Sequence, residues 1–330
     1  MAFMIAMFSL SLIFILASCL YFTNAVEWLG KKLNLSQGVI GSIFAAVGTA
    51  MPETIIPIIA IVFHKGQASD EIGVGAIVGA PFMLSTLGFF VTGASAIVYA
   101  FFRKRPFKIT PSLTGFQRDL TYFIIIYSLA VITSIVNNYI DIKNIVSIAI
   151  LVSYFVYVIR TFSSKDDSLR DLKNLYFSNQ FHLKPTINLI ILQLIFSLLG
   201  ISYGAHVFIK YTEQVSAMAG VPPAILSLII TPIATELPEK LNSILWIGQK
   251  KDTLALGNIT GAMVFQSSVP VAIGMMFTDW NLTGLTMLTT VLALISSYIS
   301  LIYAASKKSL SPFILMGGSI FYCIFLLQLL

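Results

Sequence analysis

The chain has 330 residues, of which 57% are hydrophobic and 10% charged, and its formal net charge is +6. A water-soluble chain usually carries about 25% charged residues, so this composition excludes a cytosolic enzyme or a secreted binding domain and predicts a protein of the lipid bilayer. The basic residues lie in short loops rather than on a soluble face, so we expect no nucleic-acid partner. Cys19 and Cys323 stand near opposite ends and predict no disulfide framework.

Ten apolar segments follow one another along the chain. A helix that crosses a bilayer needs about 20 mostly apolar residues. The sequence predicts such helices at residues 3–22, 38–63, 72–101, 119–136, 142–160, 187–209, 222–248, 253–277, 283–305 and 311–330. We therefore predict an all-α membrane protein with five helices in residues 1–160, a polar linker at 161–186, and five helices in residues 187–330.

The basic residues predict the orientation of these spans. Sixteen Lys and Arg residues fall in loops on one side of the membrane, and three, Lys65, Lys143 and Lys210, fall on the other. Because cytoplasmic loops retain positive charge, we expect a cytoplasmic linker and two extracellular termini in the cell membrane. Leu-Ala-Ser-Cys, ending at Cys19, is similar to a lipoprotein cleavage box. The stretch before it lacks a basic region, so we interpret residues 3–22 as a membrane span.

A short motif occurs once in each half. Gly-Thr-Ala-Met-Pro-Glu at 48–53 and Ala-Thr-Glu-Leu-Pro-Glu at 234–239 share Thr, Pro and Glu at an offset of 186 residues. Because each half has five spans, the second half enters the membrane from the opposite face. This pattern predicts two inverted five-helix repeats, which is typical of transporters with a site near the midplane. The alternative is a chance match between two short apolar segments.

Three glutamates, Glu53, Glu236 and Glu239, fall in the middle of predicted spans. A charge at the bilayer centre costs about 2.5–3.5 kcal/mol, so such residues normally pair with another group or face a polar cavity. Thr49 and Thr235 precede Glu53 and Glu239 by four residues and therefore share their helix faces. The alternative is a protonated carboxyl that is hydrogen-bonded within a packed bundle.

Two prolines each free a backbone carbonyl oxygen, which adds to the carboxylate and hydroxyl oxygens as a possible cation ligand. Pro52 and Pro238 cannot donate to the carbonyl four residues earlier, and a free carbonyl is tolerated at membrane depth where it lines a cavity. Carboxylate, hydroxyl and carbonyl oxygens suit calcium, magnesium or sodium. The predicted cation ligands are Glu53, Glu239, Glu236, Thr49, Thr235, Gln266, Gly48 and Ala234.

Four glycines lie on the helices that follow the two motifs. Gly75 and Gly79 correspond to Gly257 and Gly261 at an offset of 182 residues. Their spacing predicts close approach between helices. We interpret Asn258, which follows Gly257, as a packing residue.

These motifs resemble the cation/calcium exchanger superfamily, and most of all its prokaryotic sodium/calcium exchanger branch. That family carries Gly-Thr-Ser-x-Pro-Glu on one helix of each half and Gly-Asn-x-x-Gly-Ser on the next. The resemblance implies a secondary active cation antiporter that works by alternating access at a midplane carboxylate site. Sodium or proton entry would drive export of a calcium-type divalent cation, with no cofactor and no enzymatic activity. We expect the lipid bilayer and inorganic cations as partners, and function as a monomer.

The departures from the family pattern concern the ligands. The Ser of the first motif is replaced by Ala50 and Glu236, and the Asn or Asp expected on the following helices by Leu84 and Gln266. The Ser after the second Gly is Ala80 and Ala262. Because of these changes, the resemblance does not identify the transported ion. The alternatives are a cation channel, or a degenerate exchanger paralogue for magnesium, manganese or potassium.

Lys240 lies within the seventh predicted span, four residues after Glu236, which is the favourable order for a helical ion pair. If the pair forms, the site keeps Glu53 and Glu239 with a formal charge of −2. One divalent cation, two monovalent cations or two protons balance that charge, so the exchange is predicted to be electroneutral. The alternative is that Lys240 extends to the cytoplasmic surface and leaves Glu236 as a third ligand.

Overall fold

The structure, a computed structural model, describes residues 2–63, 67–137, 141–163, 172–218 and 236–329. These residues form α-helices joined by short connections. The helices are α1 (Ala2–Leu33), α2 (Gln37–Val39), α3 (Ala46–Phe63), α4 (Gln67–Met83), α5 (Phe89–Phe101), α6 (Leu113–Val136), α7 (Lys143–Phe162), α8 (Tyr176–Phe181), α9 (Ile187–Met218), α10 (Leu237–Gly248), α11 (Asp252–Phe277), α12 (Gly284–Lys307), α13 (Pro312–Met316) and α14 (Gly318–Leu329). A π-helical segment, Ile40–Ala45, joins α2 to α3, and another, Leu84–Gly88, joins α4 to α5.

Seven helical segments of the described residues are long and apolar enough to cross a membrane. They are Phe3–Leu33, Gly73–Phe101, Leu113–Val136, Lys143–Phe162, Ile187–Phe208, Asp252–Phe277 and Gly284–Lys307. Each of the ten segments predicted from the sequence overlaps a described helix. The first prediction, 3–22, ends too early, because α1 continues to Leu33 beyond the apolar stretch. The prediction for 222–248 is described from residue 236 onward.

α11 lies at the centre of the bundle and packs against the first π segment, α3, α4, α6, α7 and α10. Its closest crossing is with the first π segment. A Cβ on Gly261 would lie 2.2 Å from the carbonyl oxygen of Ser42, and one on Gly257 would lie 3.1 Å from the Ser42 hydroxyl oxygen. The close approach predicted at these two glycines is confirmed. At Gly75 and Gly79 no described atom lies within 4 Å of an added Cβ, so the described residues do not give the predicted contact there.

α1 and α9 form an antiparallel pair beside this central bundle. Phe8 and Phe208 stack with their ring centroids 4.7 Å apart. Toward the other end of the pair, the Gln193 amide nitrogen donates to Asn24 Oδ1 at 3.0 Å. The pair packs mainly within itself and contacts the remaining helices chiefly through α1, which touches α10 and the first π segment.

Candidate cation site

Glu239 stands in the first turn of α10, a helix of 12 residues. That length corresponds to about 18 Å, against about 30 Å for the hydrocarbon core of a bilayer. Lys250 and Lys251 follow its end, so the first turn lies at the opposite end of the helix from these two lysines. Pro238 occupies the second position of α10, where its missing N–H removes no helical hydrogen bond. The partial positive charge at the N-terminal end of the helix favours the Glu239 carboxylate.

The Glu239 carboxylate is completely buried, and neither of its oxygens accepts a hydrogen bond within the described part of the chain. The Thr49 side chain of α3 faces this carboxyl. The Thr49 hydroxyl nevertheless donates its hydrogen bond to the carbonyl oxygen of Ala45, four residues earlier in the chain, at 3.0 Å. The structure thus brings together one residue from each copy of the repeated motif, and it leaves two carboxylate oxygens without a donor.

Glu236 and Lys240 form the ion pair that their spacing predicts. Glu236 Oε2 lies 2.9 Å from Lys240 Nζ, and the two side chains are 2% and 5% exposed. Lys240 therefore does not extend to the cytoplasmic surface. Because the ammonium group lies beside the Glu236 carboxylate, the pair has a formal net charge of zero.

Asn258 has a larger role than the packing role that we assigned to it. Its Nδ2 donates to the backbone oxygen of Glu239 at 3.0 Å and to Ser243 Oγ at 3.3 Å. The Ser243 hydroxyl in turn donates to the carbonyl oxygen of Ala255 at 3.0 Å. These bonds join the first two turns of α10 to α11. Gln266, a predicted ligand, is buried on α11 about 12 Å along the helix axis from Asn258.

Of the four remaining predicted ligands, two lie in α3 and two precede the described part of α10. Gly48 lies in α3, and a Cβ there would lie 3.4 Å from the Phe22 ring, so the residue faces α1. Glu53 lies in α3 four residues after Thr49, and its side chain is outside the described part. Thr235 and Ala234 also lie outside the described residues.

Sequence reasoning missed a buried carboxylate at Asp119, at the beginning of a predicted span. Asp119 is 1% exposed, and its Oδ2 accepts hydrogen bonds from Ser42 Oγ at 2.7 Å and from Thr260 Oγ1 at 2.8 Å. Its Oδ1 accepts from the Tyr157 hydroxyl and from Arg118 Nη2, both at 2.8 Å. Because donors already satisfy both oxygens, this carboxylate joins helices and is a poor cation ligand.

Two further carboxylates show that the buried acidic residues are not confined to the repeated motif. In α1, Glu27 accepts a hydrogen bond from Trp246 Nε1 at 2.9 Å and lies 2.6 Å from Lys251 Nζ. At the start of α11, Asp252 forms a bidentate pair with Arg105, with both N–O distances at 2.8 Å. The Lys and Arg residues of the sequence indicate that such ion pairs can form, but the sequence does not identify which of them pairs with Glu27 or Asp252.

Comparison with known proteins identifies the family. The family model described as sodium/calcium exchanger protein matches residues 3–163 and 189–330. The chain belongs to this family. It is therefore a multi-pass membrane transporter of the cation exchanger type and not an enzyme, which confirms the family and the class of protein expected from the motifs.

Solved structures and one curated relative are similar to the chain over most of its length. The fold is similar to the sodium-calcium exchanger NCX_Mj soaked with 10 mM Na⁺ and zero Ca²⁺, with a TM-score of 0.75, 20% identity and 99% coverage of both chains. NCX_Mj soaked with 2.5 mM Na⁺ and 10 mM Sr²⁺ gives a TM-score of 0.74 and 19% identity, covering 99% of this chain and 98% of that chain. The uncharacterized membrane protein MJ0091 of Methanocaldococcus jannaschii is 22% identical over 270 residues, or 82% of this chain and 80% of that protein.

Proposed function

We propose that the protein is a secondary active antiporter that exports a calcium-type divalent cation in exchange for sodium or protons. The observation that carries this proposal is the Glu239 carboxylate, which is fully buried, has no hydrogen-bond donor among the described residues, and faces Thr49 of the other motif. A buried carboxylate without a partner is costly, and a bound cation supplies the missing charge. Membership of the sodium/calcium exchanger family supports cation exchange as the activity.

The proposed architecture is ten transmembrane helices arranged as two inverted five-helix repeats, with one half of the site in each repeat. Glu53 and Glu239 are the charged ligands, and Thr49, Thr235, Gln266 and the carbonyl oxygens of Gly48 and Ala234 complete the oxygen shell. Alternating access at this midplane site moves the cation. The protein functions as a monomer in the cell membrane, with both termini extracellular and the 161–186 linker cytoplasmic.

The charge of the site favours an electroneutral cycle. Because Lys240 neutralises Glu236 at 2.9 Å, Glu53 and Glu239 set the charge of the site at −2. One divalent cation or two monovalent cations balance this charge. Because the bound ions carry the same charge in both directions, the transport cycle moves no net charge across the membrane and requires no electrical work.

Counterflow in proteoliposomes tests the proposal. Purified protein is reconstituted with calcium, magnesium, manganese, sodium or potassium on one side, and uptake of labelled calcium is measured with and without an opposing sodium or proton gradient. We expect calcium uptake that depends on the opposing ion. Glu239→Gln keeps the shape of the side chain and removes the charge, so it should lower the exchange rate at least about tenfold, since a charged ligand is lost. Glu53→Gln should have a similar effect.

A matched control removes a carboxylate away from the site. Asp279 is exposed in the connection after α11, so Asp279→Asn should leave exchange unchanged. Full exchange in Glu239→Gln would contradict the proposal. Calcium flux down its own gradient, without any dependence on a counter-ion, would indicate a channel instead.

A further inference from the structure

The ion pair of Glu236 and Lys240 lies within a single helix turn at the beginning of α10. By contrast, the pair of Glu27 and Lys251 joins α1 to the connection that precedes α11. Moving two charges out of water is costly, and their mutual attraction often does not repay that cost. Glu236 and Lys240 are both almost completely buried, and a contact within one turn does not explain why two charges are buried there.

The first copy of the repeated motif has neither of these charges. At the offset of 186 residues, Glu236 corresponds to Ala50 and Lys240 to Thr54, and both of these neutral residues are buried. The two charges are therefore present together in one copy and absent together in the other. This pattern indicates that the lysine balances the glutamate.

The Lys240 ammonium group also acts on the unpaired carboxylate of Glu239. Glu239 stands between Glu236 and Lys240 in the chain and has electrostatic interactions with both. Neither of its oxygens accepts a hydrogen bond from the described residues. Lys240 therefore holds a positive charge at the proposed cation site without a hydrogen bond to Glu239.

We propose, within the antiporter proposed above, that the Lys240 ammonium is a built-in cation that fills a position beside Glu236 where an alkali-metal cation would otherwise bind. An ammonium group is a compact point charge of the same sign and size as that of one such ion. With the ammonium in place, two monovalent cations balance Glu53 and Glu239. Without it, Glu236 adds a third negative charge, and a third monovalent cation is needed against each divalent cation. Lys240 thus sets the exchange ratio.

The first test measures sodium binding without transport. Purified Lys240→Gln is unfolded thermally in detergent, in mixtures of NaCl and choline chloride at constant ionic strength, because an ion that binds the folded state raises the unfolding midpoint. The Gln side chain ends one bond short of the Nζ position and leaves the Glu236 carboxylate without its cation. We expect a lower midpoint than that of the wild type in choline chloride, and a steeper rise with sodium that corresponds to about one more bound ion. The same titration with KCl identifies the preferred alkali-metal cation.

The second test measures the exchange ratio in proteoliposomes. Fluxes of labelled sodium and labelled calcium are compared in the wild type and in Lys240→Gln. The number of sodium ions exchanged per calcium ion should be larger by about one in the variant, because a buried charge without a partner is costly and one more cation balances it. Lys240→Arg retains the positive charge and should keep the wild-type ratio.

Lys251→Gln is the matched control, because it also leaves a buried carboxylate, that of Glu27, without its lysine. This control should bind the wild-type number of sodium ions. The double variant Glu236→Gln with Lys240→Gln removes both charges and should also bind that number. A wild-type response of Lys240→Gln to both salts overturns the proposal, and so does an equally enlarged response in Lys251→Gln.

Lys240→Thr repeats the measurements with the residue that the first motif has at the corresponding position. If neither Lys240→Gln nor Lys240→Thr folds in NaCl or KCl while the double variant folds, an alkali-metal cation does not replace the ammonium and the proposal is overturned. Absence of calcium exchange in the wild type overturns the antiporter proposal itself. Exchange in the wild type with the same ratio in Lys240→Gln overturns only the role of Lys240.

Discussion

Two buried carboxylates next to α11 have opposite surroundings. Asp119 of α6 receives hydrogen bonds from Ser42, Thr260, Tyr157 and Arg118, which come from several helices. Glu239 of α10 receives none from the described residues. Both side chains are almost completely removed from solvent. Burial alone therefore does not distinguish these acidic residues, whereas the lack of donors among the described residues distinguishes Glu239.

The remaining buried carboxylates of the described chain resemble Asp119 in this respect. Glu27 contacts Trp246 and Lys251, and Asp252 is held by Arg105. Glu236 pairs with Lys240. Among these residues, Glu239 alone has no donor for either oxygen in the described part of the chain. The comparison gives the paired carboxylates structural contacts and supports the ion binding that we propose for Glu239.

The largest expected effect on stability is at Asp119. Asp119→Leu removes the carboxylate that faces the partly buried Arg118 guanidinium and accepts from the Ser42 and Tyr157 hydroxyls, so we expect a loss of about 3–5 kcal/mol in the free energy of unfolding. Glu239→Leu removes a carboxylate that has no donor among the described residues, so it should not destabilise the ion-free protein. Unfolding of both variants in detergent with a chelator present measures the difference. If Glu239→Leu were as destabilised as Asp119→Leu, the comparison would fail.

A smaller effect, on coupling rather than on folding, is expected at Lys240. Exchange by the wild type should not depend on a clamped membrane potential, because the proposed site binds equal charge in both directions. Lys240→Gln removes the positive charge beside Glu236, so the charge of the site becomes −3 and exchange should become voltage-dependent. Transport in proteoliposomes at several potassium-valinomycin potentials measures this. Steep voltage dependence of the wild type would exclude the electroneutral cycle.

The smallest effect is expected at Glu27. Glu27→Gln removes the charge that faces Lys251, whose side chain is 14% exposed, and leaves an oxygen that can still accept from Trp246. We expect a loss of about 1 kcal/mol in stability, since the lysine remains partly solvated. Trp246→Phe provides the complementary measurement, because it removes the neutral hydrogen bond and keeps the ion pair. A loss as large as that of Asp119→Leu would show that partial solvation does not weaken this pair.

The elements that the sequence predicted correctly depend on short-range patterns. Apolar length alone places the helices, because a bilayer requires internally hydrogen-bonded segments. The Glu236–Lys240 pair follows from a spacing of four residues within one helix turn. The repeated Thr-x-x-Pro-Glu motif led to the family for the same reason, since its residues stand together on one helix.

Tertiary structure decided which polar groups are satisfied and which are not. The donors of Asp119 come from positions 42, 157 and 260, and the Trp246 donor of Glu27 is 219 residues away in the chain. The Asn258 contact with the Glu239 backbone joins two helices that the motif pattern treats separately. A hydrogen bond needs its two atoms within about 3 Å, and helix packing brings such distant residues together. The sequence therefore determined the class of protein and its charged residues, while the packing around α11 separated the paired carboxylates from Glu239.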